Sequence, residues 1–113
     1  MNVVDLIENE DHFYIITEVT KGGELSERLA QVRYLTELQA GKVIYQVMMA
    51  LHYMHSQNII HRDMKLANLH LLSRDPANFD IKVCDLGFAQ KFGDDELTLV
   101  MGTPLYMAPE LVR

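Results

Sequence analysis

Cysteine is nearly absent from this chain: Cys84 is the only one in 113 residues, so no disulfide closes within it and no metal site can be built on several thiolates. Positive charge is also scarce. Lys and Arg number 10 against 16 Asp and Glu, for a formal net charge of −6, and this argues against a nucleic-acid or anionic-membrane surface, both of which need clustered cations. No apolar run approaches the ~18 residues of a membrane span. The stretch after Met1 carries Asp5 and Glu8 where a secretory leader places a basic region before an apolar one. No internal repeat or low-complexity tract interrupts the chain. These absences describe an intracellular, cytoplasmic protein with neither nucleic acid nor membrane as an expected partner.

What is present fits a globular domain: 49% of residues are hydrophobic and 23% charged, and the length suffices for one modest core. Acidic residues crowd the start, where Asp5, Glu8, Glu10, Asp11, Glu18, Glu24 and Glu27 face only Lys21 before Arg28. They read as a solvated face. Residues 2–7 and 13–19 are short runs rich in β-branched and aromatic side chains around the polar 8–12, the pattern of an antiparallel hairpin. Lys21-Gly22-Gly23 breaks it, and Glu24 to Leu29 starts a short helix. From Thr36 to about His55, Leu38, Val43, Ile44, Val47, Met48, Leu51 and Met54 recur at spacings of three and four, an amphipathic helical stripe whose methionines serve packing. Thr36 with Glu37 and Gln39 provides its capping signal. Ile59-Ile60, a polar loop through Asn68, a strand at 69–72, a loop holding Asp75-Pro76 and a partner strand at 81–83 follow.

The chemistry-bearing residues lie in that polar loop and after it. His61-Arg62-Asp63-Met64-Lys65-Leu66-Ala67-Asn68 has the pattern H-R-D-x-x-x-x-N, and Asp85-Leu86-Gly87 follows the second strand. Taken singly, each is an ordinary set of loop polars: Asp63 a cap, His61 a satisfied core histidine, Asp85 a turn residue. A third segment, Gly102-Thr103-Pro104-Leu105-Tyr106-Met107-Ala108-Pro109-Glu110, ends in A-P-E. Order and spacing together identify a chain that resembles the eukaryotic-type serine/threonine protein kinase catalytic domain, from its ATP hinge to the end of its activation segment.

That resemblance implies an α+β fold fragment with residues 1–19 ending the small-lobe sheet, 20–23 as the hinge linker and 24–113 in the mainly helical large lobe. It implies ATP and Mg²⁺ as cofactors and a protein carrying a Ser or Thr hydroxyl as substrate. The position matching Asp63 orients the acceptor hydroxyl and takes its proton, those matching Asn68 and Asp85 bind Mg²⁺, and Lys65 neutralises charge on the transferring phosphoryl group. Ile15 to Leu25 is similar to the hinge, where the backbone at Glu18 and Thr20 meets adenine. Thr17 then stands at the gatekeeper position, its small side chain leaving a pocket open behind the base, and Glu24 faces the ribose hydroxyls, serves as a carboxylate at the helix N-terminus, or both. Lys65 and Gly102-Thr103 resemble serine/threonine rather than tyrosine kinases, with Thr103 bonding towards Asp63 and Lys65. The hinge and the Gly-Thr-Pro-x-Tyr segment resemble calcium/calmodulin-dependent and related kinases. Arg62 is expected to hold a phosphate on the activation segment, with Thr98 as acceptor, or to be satisfied by Asp94, Asp95 or Glu96.

The chain departs from the family pattern at four positions. Leu66 and Ala67 stand where Pro-Glu is common, Leu86 replaces Phe after the metal-binding Asp, and His70 lies where an aliphatic side chain normally underlies adenine. Cys84 is expected to face the nucleotide pocket, as a buried, inert thiol or, alternatively, a modifiable one. No glycine-rich G-x-G-x-x-G-x-V loop or V-A-I-K lysine precedes the hinge. The expectation is therefore a piece of a kinase domain, with negligible activity as an isolated polypeptide and an apolar face exposed along the 38–54 helix. The alternative is a non-catalytic, pseudokinase-like fragment that binds a partner through that face.

Overall fold

The computed structural model describes residues 1–93 and 97–112, so Asp94, Asp95 and Glu96 lie outside the described residues. The two β-rich runs pair as expected: β1 (Val3–Glu8) and β2 (Phe13–Thr17) form an antiparallel hairpin, with Leu6 opposite Ile15 and a register shift between Val3 and Asp5. Asn9 closes its turn, its Oδ1 accepting from the backbone N–H groups of Asp11 and His12 at 3.0 and 2.8 Å. Gly23, at φ 73°, makes the left-handed turn that leads the chain into β3 (Gly23–Glu24) and then α1 (Leu25–Val32).

The long helix α2 (Glu37–Ser56) starts where the sequence signals it. Thr36 accepts from the Gln39 N–H at 3.3 Å while the Gln39 side chain accepts from the Thr36 N–H at 2.9 Å, a reciprocal capping box. Its packed stripe is not the expected one. Val43 is buried and Gln46, Val47, Ala50, Leu51 and Met54 are partly covered, whereas Leu38, Ile44 and Met48 are 85%, 58% and 59% exposed. The helix is apolar around most of its circumference, so spacing alone does not say which side meets the sheet. A polar residue decides it: the Gln46 amide donates to the Phe79 carbonyl and accepts from the Ile81 N–H, each at 2.9 Å, stitching the helix to the strand beside it. Gln46→Leu is therefore expected to destabilise the fold by about 1–3 kcal/mol, since a buried backbone N–H and carbonyl lose their partners; chemical denaturation checks this.

Beyond α2 the chain runs through β4 (Ile59–Ile60), a 3-10 turn at Leu66–Asn68, β5 (Leu69–Leu71), β6 (Ile81–Val83), β7 (Gln90–Lys91), a second 3-10 turn at Pro104–Tyr106 and α3 (Pro109–Val112). β5 is the centre of a three-stranded antiparallel sheet, flanked by β3 and β6; β4 pairs with β7. The strand expected at 69–72 stops at Leu71. Leu25, Val43, Leu69, Leu71, Phe79 and Ile81 form the core, with Leu35, Val47, Met64, Leu66 and Val83 packed on it. The alternation of β5 sends Leu69 and Leu71 into this core and leaves His70 on the opposite face. No described helix is long and apolar enough to cross a membrane.

Candidate active site

Both ends of the 61–68 loop are tied to one backbone position. The His61 ring, 1% exposed, accepts from the Asp63 N–H through Nδ1 at 3.2 Å and lies 3.2 Å from the Cys84 carbonyl through Nε2. Those two partners require the neutral tautomer protonated on Nε2. At the far end, the Cys84 N–H donates to the Asn68 carbonyl at 2.8 Å. Asp85 is thereby fixed beside the loop. Arg62 and Asp85 sit at φ 66° and 59°, sparsely populated backbone for residues other than glycine, of the kind that clusters at functional sites.

Within this frame Asp63, Lys65, Asn68 and Thr103 form one network. Thr103 Oγ1 donates to Asp63 Oδ1 at 2.6 Å, and Lys65 Nζ donates to Asp63 Oδ2 at 2.7 Å and to Thr103 Oγ1 at 2.9 Å. Asn68 Nδ2 donates to the Asp63 carbonyl at 2.8 Å and to Oδ2 at 3.3 Å. Lys65 first, then Thr103, hold the Asp63 carboxyl down to about 2, and Asp63 in turn raises Lys65. A carboxyl depressed by folding contributes stability in full above its ordinary value of 3.8, and that contribution is lost as the pH falls through about 2. Carbon NMR of the Asp63 carboxyl is expected to show a midpoint near 2; a midpoint at or above the ordinary value would contradict the network.

Asp85 is exposed, and its Oδ1 accepts from the Gly87 N–H at 3.2 Å. It opens on a cavity of about 460 Å³ that Val3, Ile15, Thr17, Cys84 and Gly87 also line, which brings the expected gatekeeper and the expected metal ligand to one space. Cys84 is buried, and burial pushes its thiol up, so it stays protonated. Among the described residues no group of three His, Cys, Asp or Glu side chains converges as a metal cage. The donors on offer are oxygens: the Asp85 carboxylate and Asn68 Oδ1, which accepts no hydrogen bond among the described residues. That set suits a hard cation that takes one or two protein oxygens and fills its shell with phosphate and water.

The expected hinge residues are placed by side-chain ties that sequence reading missed. Glu18 pairs with Lys82 of β6 and accepts from the Asn2 N–H at 2.6 Å, and Lys82 is the main cause of its lowered pKa. Glu18 therefore does not belong to a solvated acidic face. Thr20 Oγ1 lies 2.9 Å from His70 Nδ1. His70 stands opposite Glu24 on one side and Lys82 on the other, and it does not line the cavity that holds Thr17 and Asp85. Glu24 precedes α1 without capping it and accepts instead from Ser26 Oγ at 2.7 Å. Arg62 donates to the Phe88 carbonyl at 2.6 Å and to the Leu99 carbonyl at 3.4 Å. Thr98 is exposed, with no hydrogen bond to Arg62. Gly102 was visible only as part of a motif, yet it is at φ 123° and a Cβ there would press on the Arg62 carbonyl oxygen.

A family model described as the protein kinase domain matches residues 1–113. The chain belongs to this family. Over its full length the kinase segment is 36% identical to a probable serine/threonine-protein kinase, fhkD, of Dictyostelium discoideum, of which it spans 15%. It is 36% identical to calcium/calmodulin-dependent protein kinase type I of Schizosaccharomyces pombe, spanning 34% of that protein, and 41% identical to serine/threonine-protein kinase TIO of Arabidopsis thaliana, spanning 8%. The α+β arrangement of small sheets and helices is thus that of a protein kinase domain segment; the segment before Ala-Pro-Glu meets the 61–68 loop at Asp63, and the Asp-Leu-Gly turn is tied to that loop through the Cys84 backbone.

Proposed function

We propose that this segment carries the phosphoryl-transfer centre of an ATP-dependent protein serine/threonine kinase. The observation that carries the reading is the ionised Asp63 carboxylate, held between Lys65 and Thr103 at 2.7 and 2.6 Å. Lys65, Asn68 and Thr103 occupy three of the roughly four lone-pair sites a carboxylate offers. The remaining one is available to the hydroxyl of a Ser or Thr side chain on a protein substrate. A group held near 2 is a weak proton acceptor, which suits a loose transition state in which positioning matters more than early proton removal. Asp63 orients the hydroxyl and takes its proton late; Lys65 lies beside it as a fixed positive charge for the phosphoryl oxygens.

Asn68 Oδ1 and Asp85 would hold Mg²⁺, which when bound supplies charge neutralisation at the nucleotide's terminal phosphates. The backbone at Glu18 and Thr20 would receive adenine, with Thr17 and Cys84 lining the cavity beside it and Glu24 near the ribose. His70, bonded to Thr20, would brace the hinge from below. Residues 1–19, 20–23 and 24–113 divide accordingly into small-lobe sheet, hinge and large-lobe parts. Arg62 and Thr98 would form the regulatory pair only after a rearrangement of the activation segment, because the arginine now serves two carbonyls. An ATP donor places the reaction inside the cell. The relatives' names, serine/threonine kinases among them calcium/calmodulin-dependent ones, point to the same acceptor class.

The test is transfer of labelled γ-phosphate by the protein expressed from its own full transcript, offered matched Ser, Thr and Tyr peptides with and without a Mg²⁺ chelator. Label on Ser or Thr that disappears with the chelator is expected. Tyr-only or chelator-insensitive labelling would refute the assignment, and no labelling at all would favour a non-catalytic, partner-binding role for the exposed face of α2.

A further inference from the structure

Apart from the Asp63 network, positive charge collects in excess of the one carboxylate beside it. Lys21, Glu27, Arg28, Gln31 and Arg74 line a cavity of about 380 Å³ together with Gly22 and Gly23. Three cations against one carboxylate gather there on a chain whose formal net charge is −6. Arg28 is 9% exposed, yet among the described residues it has no ion-pair partner. Its guanidinium reaches only two neutral carbonyls, of Arg74 at 3.3 Å and Asp75 at 3.4 Å. Both bonds are long for charge-assisted ones, and carbonyl dipoles do not neutralise a buried unit charge, which proteins ordinarily pair. Among the described residues Arg74 commits only Nε, to the Lys21 carbonyl at 3.1 Å. Both of its Nη groups remain for a two-pronged contact of the kind guanidinium makes with carboxylate and phosphate.

The rim is rigid where it matters. The Gly22 N–H donates to the Leu71 carbonyl at 3.0 Å, and a Cβ at Gly22 would collide with the backbone of residues 71 and 73. The turn that carries Lys21 is thus fastened against the loop that carries Arg74, while Arg28 and Gln31 face them from α1. We propose that Lys21, Arg28, Gln31 and Arg74 form a docking site for a peptide oxyanion, either a phosphoserine phosphate or an acidic side-chain carboxylate. Arg28 and Arg74 supply the forked donors, Gln31 a neutral one and Lys21 a further charge, with Glu27 setting an upper bound on affinity by repulsion. The site is independent of the phosphoryl-transfer reading, since none of its residues touches the Asp63 network.

Fluorescence anisotropy on the full-length protein tests it, with labelled peptides identical except for one phosphoserine, glutamate or alanine, and with inorganic phosphate as competitor. Saturable binding of the phosphoserine or glutamate peptide, but not the alanine one, is expected, and the two arms show which oxyanion is preferred. Arg74→Gln and Lys21→Gln alter exposed side chains, so the fold is retained; Arg74→Gln is expected to weaken binding about tenfold or more, the loss of one charge-assisted contact. Glu27→Gln is expected to tighten it, a sign that general loss of structure would not produce. Equal affinity for all three peptides, or unchanged affinity in Arg74→Gln, would overturn the proposal.

Discussion

Asp63→Asn is expected to lower phosphoryl transfer by about 10²–10⁴-fold, with nucleotide affinity nearly unchanged. The amide keeps the shape of the carboxylate and one oxygen, so Thr103 Oγ1 retains a partner at the position it now reaches at 2.6 Å. What disappears is the charge. An Asn amide nitrogen placed toward Lys65 sets donor against donor where a 2.7 Å ion pair now stands, and under the proposed role the acceptor hydroxyl would lose both its orienting anion and its proton sink. Because Asp63 does not line the cavity shared by Thr17 and Asp85, the loss belongs in kcat rather than in nucleotide binding. Rapid-quench turnover beside calorimetric titration with a non-hydrolysable ATP analogue separates the two. Turnover within about twofold of the parent protein would remove Asp63 from the reaction.

Gly102→Ala is the second large effect, and its cause is purely geometric. At φ 123° a non-glycine residue is strained, and the new methyl would lie against the Arg62 carbonyl oxygen, well inside the 3.0 Å that real Cβ atoms respect. A carbonyl is backbone and cannot swing aside, so the strand of chain carrying Thr103 must lift away from the catalytic loop. The 2.6 Å bond that Thr103 donates to Asp63 and the 2.9 Å bond it accepts from Lys65 are the first casualties. A displacement of that order costs about 10²-fold in a reaction that depends on positioning. Loss of the Thr103 bond also lets the Asp63 carboxyl rise toward its ordinary value. Gly41→Ala is the control: its Cβ meets nothing within 4 Å, and in a helix interior it is expected to be neutral or stabilising by up to ~1 kcal/mol. Turnover and the Asp63 NMR midpoint measured on both variants decide; an unchanged midpoint and rate in Gly102→Ala would show that the segment is not held as described.

The candidate site was legible in the sequence because its residues lie in short, ordered motifs whose chemistry restricts residue type. Asp63, Lys65 and Asn68 fall within one loop, and Thr103 announces itself through the Gly-Thr-Pro and Ala-Pro-Glu signature. The helix at 37–56 was equally plain, since Thr36 and Gln39 spell out its cap. Its packed side was not: seven apolar positions fit a helical period, but Leu38, Ile44 and Met48 are exposed, and the side chain that anchors the helix is the polar Gln46. Two-residue strands such as β3, β4 and β7 carry no periodicity that could reveal them.

Sequence by itself therefore determined the family and named the residues proposed to carry its chemistry, because both depend on which groups are present in which order. Tertiary structure decided which groups touch. It alone tied Glu18 to Lys82 and Thr20 to His70, and it alone gathered Lys21, Arg28 and Arg74 around one cavity. These contacts join residues 46 to 64 positions apart, and a chain's linear order holds no record of a pairing that arises only when strands align and a loop closes over them.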